Sequence, residues 1–233
     1  MYYEHDRVEA ARPKTTKFNT TWPSALVGGA AEEWCKQYLE KRGLSWTLAK
    51  ANGWYPSQYA GDWLTRIVIP AQSTQVGHAY WQARAISPTA FIRYKSPKGP
   101  RLDAVIVVNP LPQPRAAALK WEPVTVLVEG PMDALAVAEC GLVGIALMGA
   151  TPGPTVLRSL YNRFKYGTAV FVMPDRDAVP EGQQTRLHLA SLGKATRLIN
   201  LADWTDKKDF ASLPYATRRV ILMGEMSEWG KEQ

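Results

Sequence analysis

The stretch VTVLVEGPMDALAVAECGLVGIAL, residues 124–147, decides how this chain folds. It opens with an unbroken run of apolar and β-branched residues at 124–128, which predicts a buried strand. A helix-like run at 132–140 follows, and a second apolar run at 142–147 predicts the next strand. A strand, a helix and a strand joined this closely form a β-α-β unit, so the stretch predicts two parallel strands.

Acidic side chains stand where the predicted strands end. Glu129 directly follows the first strand, and Asp133 lies on the first turn of the helix after it. A further β-rich run at 168–173 leads straight into Asp175 and Asp177, which project to the same side in an extended segment. Because parallel sheets bind ligands at the carboxyl ends of their strands, we expect the four acids to face one crevice.

Such an acid cluster calls for a cation. Two carboxylates ~4 Å apart repel by roughly 4 kcal/mol at an effective dielectric constant of about 20, so the cluster stays ionised only with positive charge inside it. Oxygen ligands without His or Cys favour a hard cation. The residues therefore predict bound Mg²⁺ or Mn²⁺.

These motifs resemble those of the TOPRIM domain, a metal-binding module shared by primases, topoisomerases and several nucleases. The resemblance covers residues 124–213 and has four matching pieces: EGPMD at 129–133, the turn containing Gly149, DRD at 175–177, and KD at 208–209. It implies that Asp209 is a further acid of the site, with Lys208 beside it. Gly149 either lets the backbone approach a metal or phosphate or serves the turn alone, and both interpretations stay open.

Composition limits the class of protein. A chain of 233 residues with 46% hydrophobic content can bury one or two cores. No apolar run approaches the ~20 residues of a membrane span, and the first residues lack a secretory signal, so we expect a cytoplasmic protein without a membrane partner. The two cysteines, Cys35 and Cys140, are predicted to be buried thiols, and the three histidines lack zinc-site spacing.

Positive charge is concentrated in the first half of the chain. The first 120 residues hold twice as many basic as acidic side chains, whereas the remainder is close to neutral. Helical patterns at 30–41 and 45–51 precede a predicted hairpin of strands 66–70 and 77–85. In the first helix Trp34, Tyr38 and Leu39 share one face, which is predicted to pack. Basic residues alternate with aromatic ones from the hairpin to residue 99, which is typical of a surface that binds phosphates and stacks bases. A solvated basic face is the alternative.

This upstream segment resembles the catalytic core of DnaG-type and bacteriophage primases. The pieces are YLEKRGL at 38–44, the strand at 66–70, the strand at 77–85, and RYKSP at 93–97. The resemblance implies that basic residues here contact template, primer or nucleotide phosphates, although Arg93 replaces the usual lysine. The predicted nucleic-acid and nucleotide-binding residues are Arg66, Arg84, Arg93, Lys95, Lys98 and Lys208.

The predicted fold is α/β: a TOPRIM domain whose parallel β-sheet is flanked by helices, preceded by a smaller basic α+β subdomain. We predict an N-terminal arm at 1–28, the basic primase-core subdomain at 29–115, the TOPRIM domain at 116–213, and a C-terminal helix at 214–233. The Pro-rich run that ends near residue 119 marks the boundary between subdomain and domain.

The predicted function is that of a DNA primase, a DNA-dependent RNA polymerase that makes short RNA primers on single-stranded DNA from nucleoside triphosphates. The sequence has neither a Cys-rich zinc module nor a G-x-x-x-x-G-K-[ST] loop, so we expect a stand-alone catalytic core of the bacteriophage kind, with a separate replicative helicase as a further partner. The alternatives are a TOPRIM nuclease and a non-catalytic replication accessory that binds single-stranded DNA. A topoisomerase fits less well, because its large gate domains are missing.

Each acid has an expected role. Glu129, Asp175 and Asp177 are the predicted catalytic residues and hold the divalent metal, directly or through water. Asp133 and Asp209 bind a second ion or orient the first ligands. The sequence leaves open whether Glu129 is a metal ligand or the general base on a primer hydroxyl.

Overall fold

The structure is a computed structural model that describes residues 22–26, 29–58, 65–73, 80–98, 101, 103–112, 124–149, 151–163 and 169–232. Its elements follow in chain order: α1 (Gly29–Glu40), α2 (Trp46–Ala51), β1 (Tyr55–Gln58), β2 (Thr65–Ala71), β3 (Tyr80–Ala85), β4 (Tyr94–Lys95), β5 (Ile106–Val108), β6 (Val124–Val128), α3 (Pro131–Glu139), β7 (Val143–Ala146), α4 (Pro154–Arg163), β8 (Ala169–Val172), α5 (Val179–Ser191), β9 (Thr196–Leu198) and α6 (Tyr215–Glu232). Short 3-10 turns lie at Leu201–Asp203 and Phe210–Ser212.

The upstream subdomain is built on an antiparallel sheet in the order β1-β2-β3-β4. The predicted hairpin of β2 and β3 is confirmed, and residues 74–79 of its connection lie outside the described part of the chain. The predicted second helix is confirmed as α2. It begins after Ser45, whose side chain accepts a hydrogen bond from the Leu48 N–H and so satisfies a backbone donor of the first turn.

The second sheet has the order β5-β7-β6-β8-β9, and β6, β7, β8 and β9 are parallel. The predicted β-α-β unit is therefore confirmed as β6-α3-β7. Gly144 allows α3 to lie directly on β7, because a Cβ at this position would stand 2.3 Å from the Ala134 carbonyl oxygen. All five β6 residues are buried, as the continuous apolar run predicts.

One strand of this sheet comes from the upstream side of the predicted domain boundary. β5 pairs antiparallel with β7, although it precedes residue 115 in the chain. Gln72, just after β2, exchanges backbone hydrogen bonds of 2.7 and 3.0 Å with Val105, just before β5. The two sheets are thus joined through the backbone, and the Pro-rich connector at 113–119 lies outside the described residues.

Helices α1 and α6 complete the packing. The sequence predicts that Trp34 shares the packed face of α1, and this is wrong: the buried residues are Ala31, Cys35 and Leu39, whereas Trp34 is 53% exposed. Trp34 precedes Cys35 by one residue, which turns it ~100° away from the buried stripe.

Helix α6 runs to Glu232, and its buried Arg218 joins the two halves of the chain. The Arg218 guanidinium donates to the Glu139 carboxylate of α3 at 2.8 Å and to the Gly43 carbonyl at 2.6 Å. Among the described residues, no helix is both long and apolar enough to cross a membrane. The predicted N-terminal arm lies outside the described residues up to residue 21.

Candidate active site

The carboxyl ends of β6 and β8 lie side by side. Leu127 pairs with Val172, and the Met173 N–H donates to the Leu127 carbonyl at 2.8 Å. One step further along, the Asp175 N–H donates to Oε1 of Glu129 at 3.1 Å. The predicted neighbourhood of Glu129 and Asp175 is therefore what parallel pairing of these two strands produces.

Asp133 lies beneath this pair, on the first turn of α3. Its side chain is buried, and its Oδ1 accepts a hydrogen bond of 2.8 Å from the Ala211 N–H. Ala211 belongs to the 3-10 turn that follows Asp209. Asp133 thus fixes the segment that carries the KD motif against the start of α3.

The KD motif contacts the DRD motif directly. The Arg176 N–H donates to the Lys208 carbonyl at 3.0 Å, and Lys208 Nζ lies 2.7 Å from Oδ2 of Asp177. Asp209 caps the following turn by accepting the Ser212 N–H at 2.8 Å. Asp177 and Lys208 are both exposed, so their ion pair lies at the rim of the site.

A cleft of about 320 Å³ is lined by both acidic and basic side chains. Its acidic wall is formed by Glu129, Asp133, Asp175 and Asp209, and Asp177 is not among its lining residues. Its basic wall is formed by Arg42, Arg84 and Arg93, together with Tyr94 and Gln82. The turn at Met148–Gly149 also lines the cleft.

Three acids of the cleft, Glu129, Asp133 and Asp175, hold protons more tightly than free carboxyls. Burial raises the pKa of Asp175 to about 6, and the neighbouring carboxylates of Glu129 and Asp209 add to the rise. Burial raises the pKa of Asp133 to about 7, against the opposing effect of the Ala211 N–H. Burial also raises the pKa of Glu129, whereas the hydrogen bond from Lys208 lowers the pKa of Asp177.

The donor set of the cleft fits a hard divalent cation. Its candidate ligands are carboxylate oxygens only, and a cation between them would relieve the repulsion that contributes to the raised pKa of Asp175. Within the described ranges, however, no three Asp, Glu, His or Cys side chains already stand grouped as a ligand set. A bound cation would therefore need side-chain rotation or water ligands to complete its coordination.

Four of the predicted basic residues, Arg84, Arg93, Lys95 and Lys98, fall into three kinds of position. Arg84 lies half-buried in the cleft, where its Nε donates to the Tyr38 hydroxyl at 2.9 Å and its guanidinium lies 4.8 Å from the centre of the Tyr94 ring. Arg93 is exposed at the mouth of the cleft. Lys95 is half-buried on β4 and Lys98 is exposed in the loop beyond it, and neither lines the cleft.

Arg66 departs from its predicted place. It is 2% exposed, and its guanidinium donates to the carbonyls of Ala83, Arg93 and Ile92 at 3.1–3.4 Å. These contacts bind β2 to β3 and to the segment before β4. In this structure Arg66 therefore supports the basic wall from behind and does not face the cleft.

Two arginines of the site are absent from the sequence-based prediction. Arg42 lines the basic wall, and its position in the YLEKRGL motif, at the end of a basic and aromatic helix, is the signal that could have identified it. Arg101 donates to the carbonyls of Leu147 and Met148 at 2.6 and 2.7 Å, and so holds the turn that lines the cleft. Nothing local in the sequence marks Arg101, because its partners follow 46 and 47 residues later.

Comparisons with known proteins rest on structure. No protein-family model matches the sequence, and no curated protein matches it either. A structure of the DnaG catalytic core aligns with a TM-score of 0.58 at 17% identity, over 86% of this chain and 74% of that one. A DnaG primase catalytic domain bound to single-stranded DNA aligns with a TM-score of 0.52 at 16% identity, over 88% and 74%.

A bacteriophage T7 structure is also similar. It contains lagging-strand DNA polymerase interacting with the primase domains of two gp4 subunits, bound to an RNA/DNA hybrid and dTTP. The match has a TM-score of 0.55 and 16% identity, over 88% of this chain and 91% of that chain. At these identities the likeness concerns the fold. The chain has the α/β fold of a TOPRIM primase catalytic core.

Proposed function

We propose that this protein is a DNA primase, a nucleotidyltransferase that joins ribonucleotides into a short primer on single-stranded DNA. The observation that carries the proposal is the cleft in which Glu129, Asp133, Asp175 and Asp209 face a wall of arginines. An acidic wall suits cations and an arginine wall suits phosphates, which is the pairing that phosphoryl transfer between nucleotides requires. The likeness to primase catalytic cores supports the same reaction.

The acidic wall would hold Mg²⁺ or Mn²⁺. When bound, the cation would neutralise charge on the triphosphate and on the attacking hydroxyl. Glu129 and Asp175 are joined by a hydrogen bond and would be the first ligands of the cation. Asp177, which lies at the rim of the site, would be a further ligand. Asp133 and Asp209 hold the segment 209–212 in place and would orient those ligands or share a second ion.

Glu129 has a second possible role in the proposal. Burial raises its pKa, so its carboxylate is a better proton acceptor than a free glutamate and could take the proton from a primer hydroxyl. Both roles place Glu129 at the attacking oxygen, and both depend on its position beside Asp175.

The basic wall would position the anionic substrates. Arg42, Arg84 and Arg93 present guanidinium groups to the cleft, and guanidinium pairs with phosphate oxygens through two parallel hydrogen bonds. Lys95, Lys98 and Lys208 do not line the cleft and would bind the sugar-phosphate backbone outside it, which fixes the register of a strand without reading its sequence. Arg66 would contribute by holding the backbone around Arg93.

The proposal places the protein in replication, in the cytoplasm, with template DNA and nucleoside triphosphates as ligands and a separate helicase as a further partner. Incubation with a single-stranded template, labelled ribonucleotides and Mg²⁺ or Mn²⁺ tests it. New oligoribonucleotides are the expected product. Shortened template would instead support a TOPRIM nuclease that uses the same acids, and a mobility shift without either product would support a DNA-binding accessory.

A further inference from the structure

A second groove, larger than the acidic cleft, lies between α1 and the segment that joins β3 to β4. We call it the basic groove; it has a volume of about 470 Å³, and its charged lining residues are Lys41, Arg42, Arg84 and Arg93. None of the described residues that line it is acidic. Four cations without a carboxylate leave strong positive charge in a concave surface, which favours a polyanion.

The basic groove continues into the acidic cleft. Arg42, Arg84 and Arg93 line both of them, so the two spaces meet along one row of guanidinium groups. A ligand with several phosphates that lies in the groove would therefore contact basic side chains along its whole path to the carboxylates. A single nucleotide bound at the carboxylates would reach this shared row but would leave unfilled the part of the groove that the cleft does not share.

Trp34 lines the basic groove and does not line the acidic cleft. It is 53% exposed in the groove, because Ala31, Cys35 and Leu39 form the buried stripe of α1. The neighbouring aromatic ring, Tyr38, has the guanidinium groups of Arg42 and Arg84 at 5.8 and 5.9 Å from its centre. Those cations hold Tyr38 in the wall, whereas the indole of Trp34 presents a wide apolar surface to solvent.

We propose that the basic groove binds single-stranded nucleic acid, with one base stacked on the indole of Trp34 and the adjoining phosphates on Lys41 and Arg42. An exposed aromatic ring beside a row of cations is the combination that binds single strands without reading their sequence. A duplex would hide the base faces that the indole needs. This inference rests on the proposed function, because it assigns the template strand a path that leads to the acidic cleft.

Binding to a fluorescein-labelled oligothymidylate of about 12 nucleotides, followed by fluorescence anisotropy in EDTA without nucleotides, tests the inference apart from catalysis. Trp34→Ala should weaken binding roughly 5- to 100-fold, the range for one stacked base, and Trp34→Phe should restore most of it. The matched control is Tyr161→Ala, which removes an exposed aromatic ring that also carries a cation, Lys194 at 5.0 Å, but lies on α4. This control should bind as the wild type does.

An abasic strand of the same length separates stacking from charge. The wild type should bind it more weakly than oligothymidylate, and Trp34→Ala should lower that residual affinity less than twofold. Equal losses on both probes would overturn the stacking role, and unchanged oligothymidylate binding by Trp34→Ala would overturn the inference altogether. A Lys41→Gln variant that loses ATP binding but keeps oligothymidylate binding would give the groove to a triphosphate instead and would also overturn it.

The same probe distinguishes this inference from the proposed function. Asp175→Asn should bind oligothymidylate as tightly as the wild type, because Asp175 lines the cleft and not the groove. Primer synthesis that fails in the wild type would remove the proposed function while strand binding at Trp34 still stands. Synthesis that proceeds normally in Trp34→Ala, with strand binding also unchanged, would remove the groove and leave the proposed function intact.

Discussion

The backbone N–H of Asp175 donates to the carboxylate of Glu129 at 3.1 Å, and this contact joins the ends of β6 and β8. It brings together two carboxyl groups whose pKa values are both raised by burial. When both carboxyl groups are ionised they repel each other, and a cation that enters the cleft relieves this repulsion.

Divalent metal should stabilise the fold. Mg²⁺ or Mn²⁺ at about 100 times its dissociation constant would add about 2.7 kcal/mol to the free energy of unfolding. Differential scanning fluorimetry should therefore show a higher melting temperature with metal, and a smaller rise for Asp175→Asn. Asp203→Asn, an exposed acid outside the cleft, is the control and should respond as the wild type does. Equal responses of all three proteins would argue against a cation site at Asp175.

Without metal, stability should fall as pH rises from about 4 to 7 through the contribution of Asp133. Its pKa lies at about 7 in the folded protein against 3.8 for a free aspartate, so the folded state holds a proton that the unfolded state has released in this window. The contribution of Asp133 to the free energy of unfolding is therefore complete below the pKa of a free aspartate, and it is lost as the pH rises through the pKa of the folded protein. Asp133→Asn keeps an acceptor for the Ala211 N–H but cannot titrate.

Urea unfolding at about pH 5 and pH 8 measures this contribution, as the difference between the wild type and Asp133→Asn. The free energy of unfolding of the variant should change less over that interval. The pKa of Asp175 is also raised, to about 6, so Asp175 lowers the free energy of unfolding over the same pH interval in both proteins. An identical pH slope in the two proteins would contradict the buried, protonated state of Asp133.

Substitution of Arg66 should lower the stability of the protein, whereas substitution of Arg93 should weaken template binding. Arg66→Met leaves backbone carbonyls without their buried donor, so we expect a loss of roughly 2–4 kcal/mol in the free energy of unfolding. Arg93→Met, at an exposed position, should change stability by less than about 0.5 kcal/mol but weaken template binding. Urea unfolding and oligonucleotide anisotropy on both variants check this. A stable Arg66→Met protein with weak template binding would return Arg66 to the binding surface.

Arg101 should act through the turn that it holds. It donates to the carbonyls of Leu147 and Met148, and Met148 has a positive φ of 55° that its neighbours must maintain. Arg101→Gln should lower the rate of primer synthesis roughly tenfold, the effect of slight misplacement at a catalytic cleft, while strand binding stays within twofold. Steady-state kinetics and anisotropy measure the two quantities. A variant that loses strand binding as much as rate would place Arg101 among the template contacts.

The sequence predicts the centre of the fold well because its signals there are local. Glu129 directly follows β6 and Asp175 closely follows β8, and parallel pairing of the two strands then brings Glu129 and Asp175 together. The antiparallel pairing of β5 with β7 escapes prediction, because β6 and α3 lie between these strands in the chain and no hairpin turn marks them as partners.

The side chains that sequence reasoning misplaces are those whose surroundings come from elsewhere in the chain. The sequence predicts that Arg66 contacts phosphates, but its guanidinium is buried against the carbonyls of Ile92 and Arg93. Trp34 reads as a packing residue, but the buried stripe of α1 passes through Cys35 instead. Both depend on which face a neighbouring segment covers, which alternation and helical spacing alone do not determine.

Dinucleotide synthesis by Asp175→Asn and Asp203→Asn, measured side by side with the wild type, tests whether the metal-dependent reaction takes place at Glu129 and Asp175. Asp175→Asn should lose about 100-fold or more of the metal-dependent rate, because the carboxylate beside Glu129 is gone, while its fold and strand binding persist. Asp203→Asn should remain fully active. Undiminished synthesis by a folded Asp175→Asn protein would show that the chemistry takes place elsewhere on the molecule.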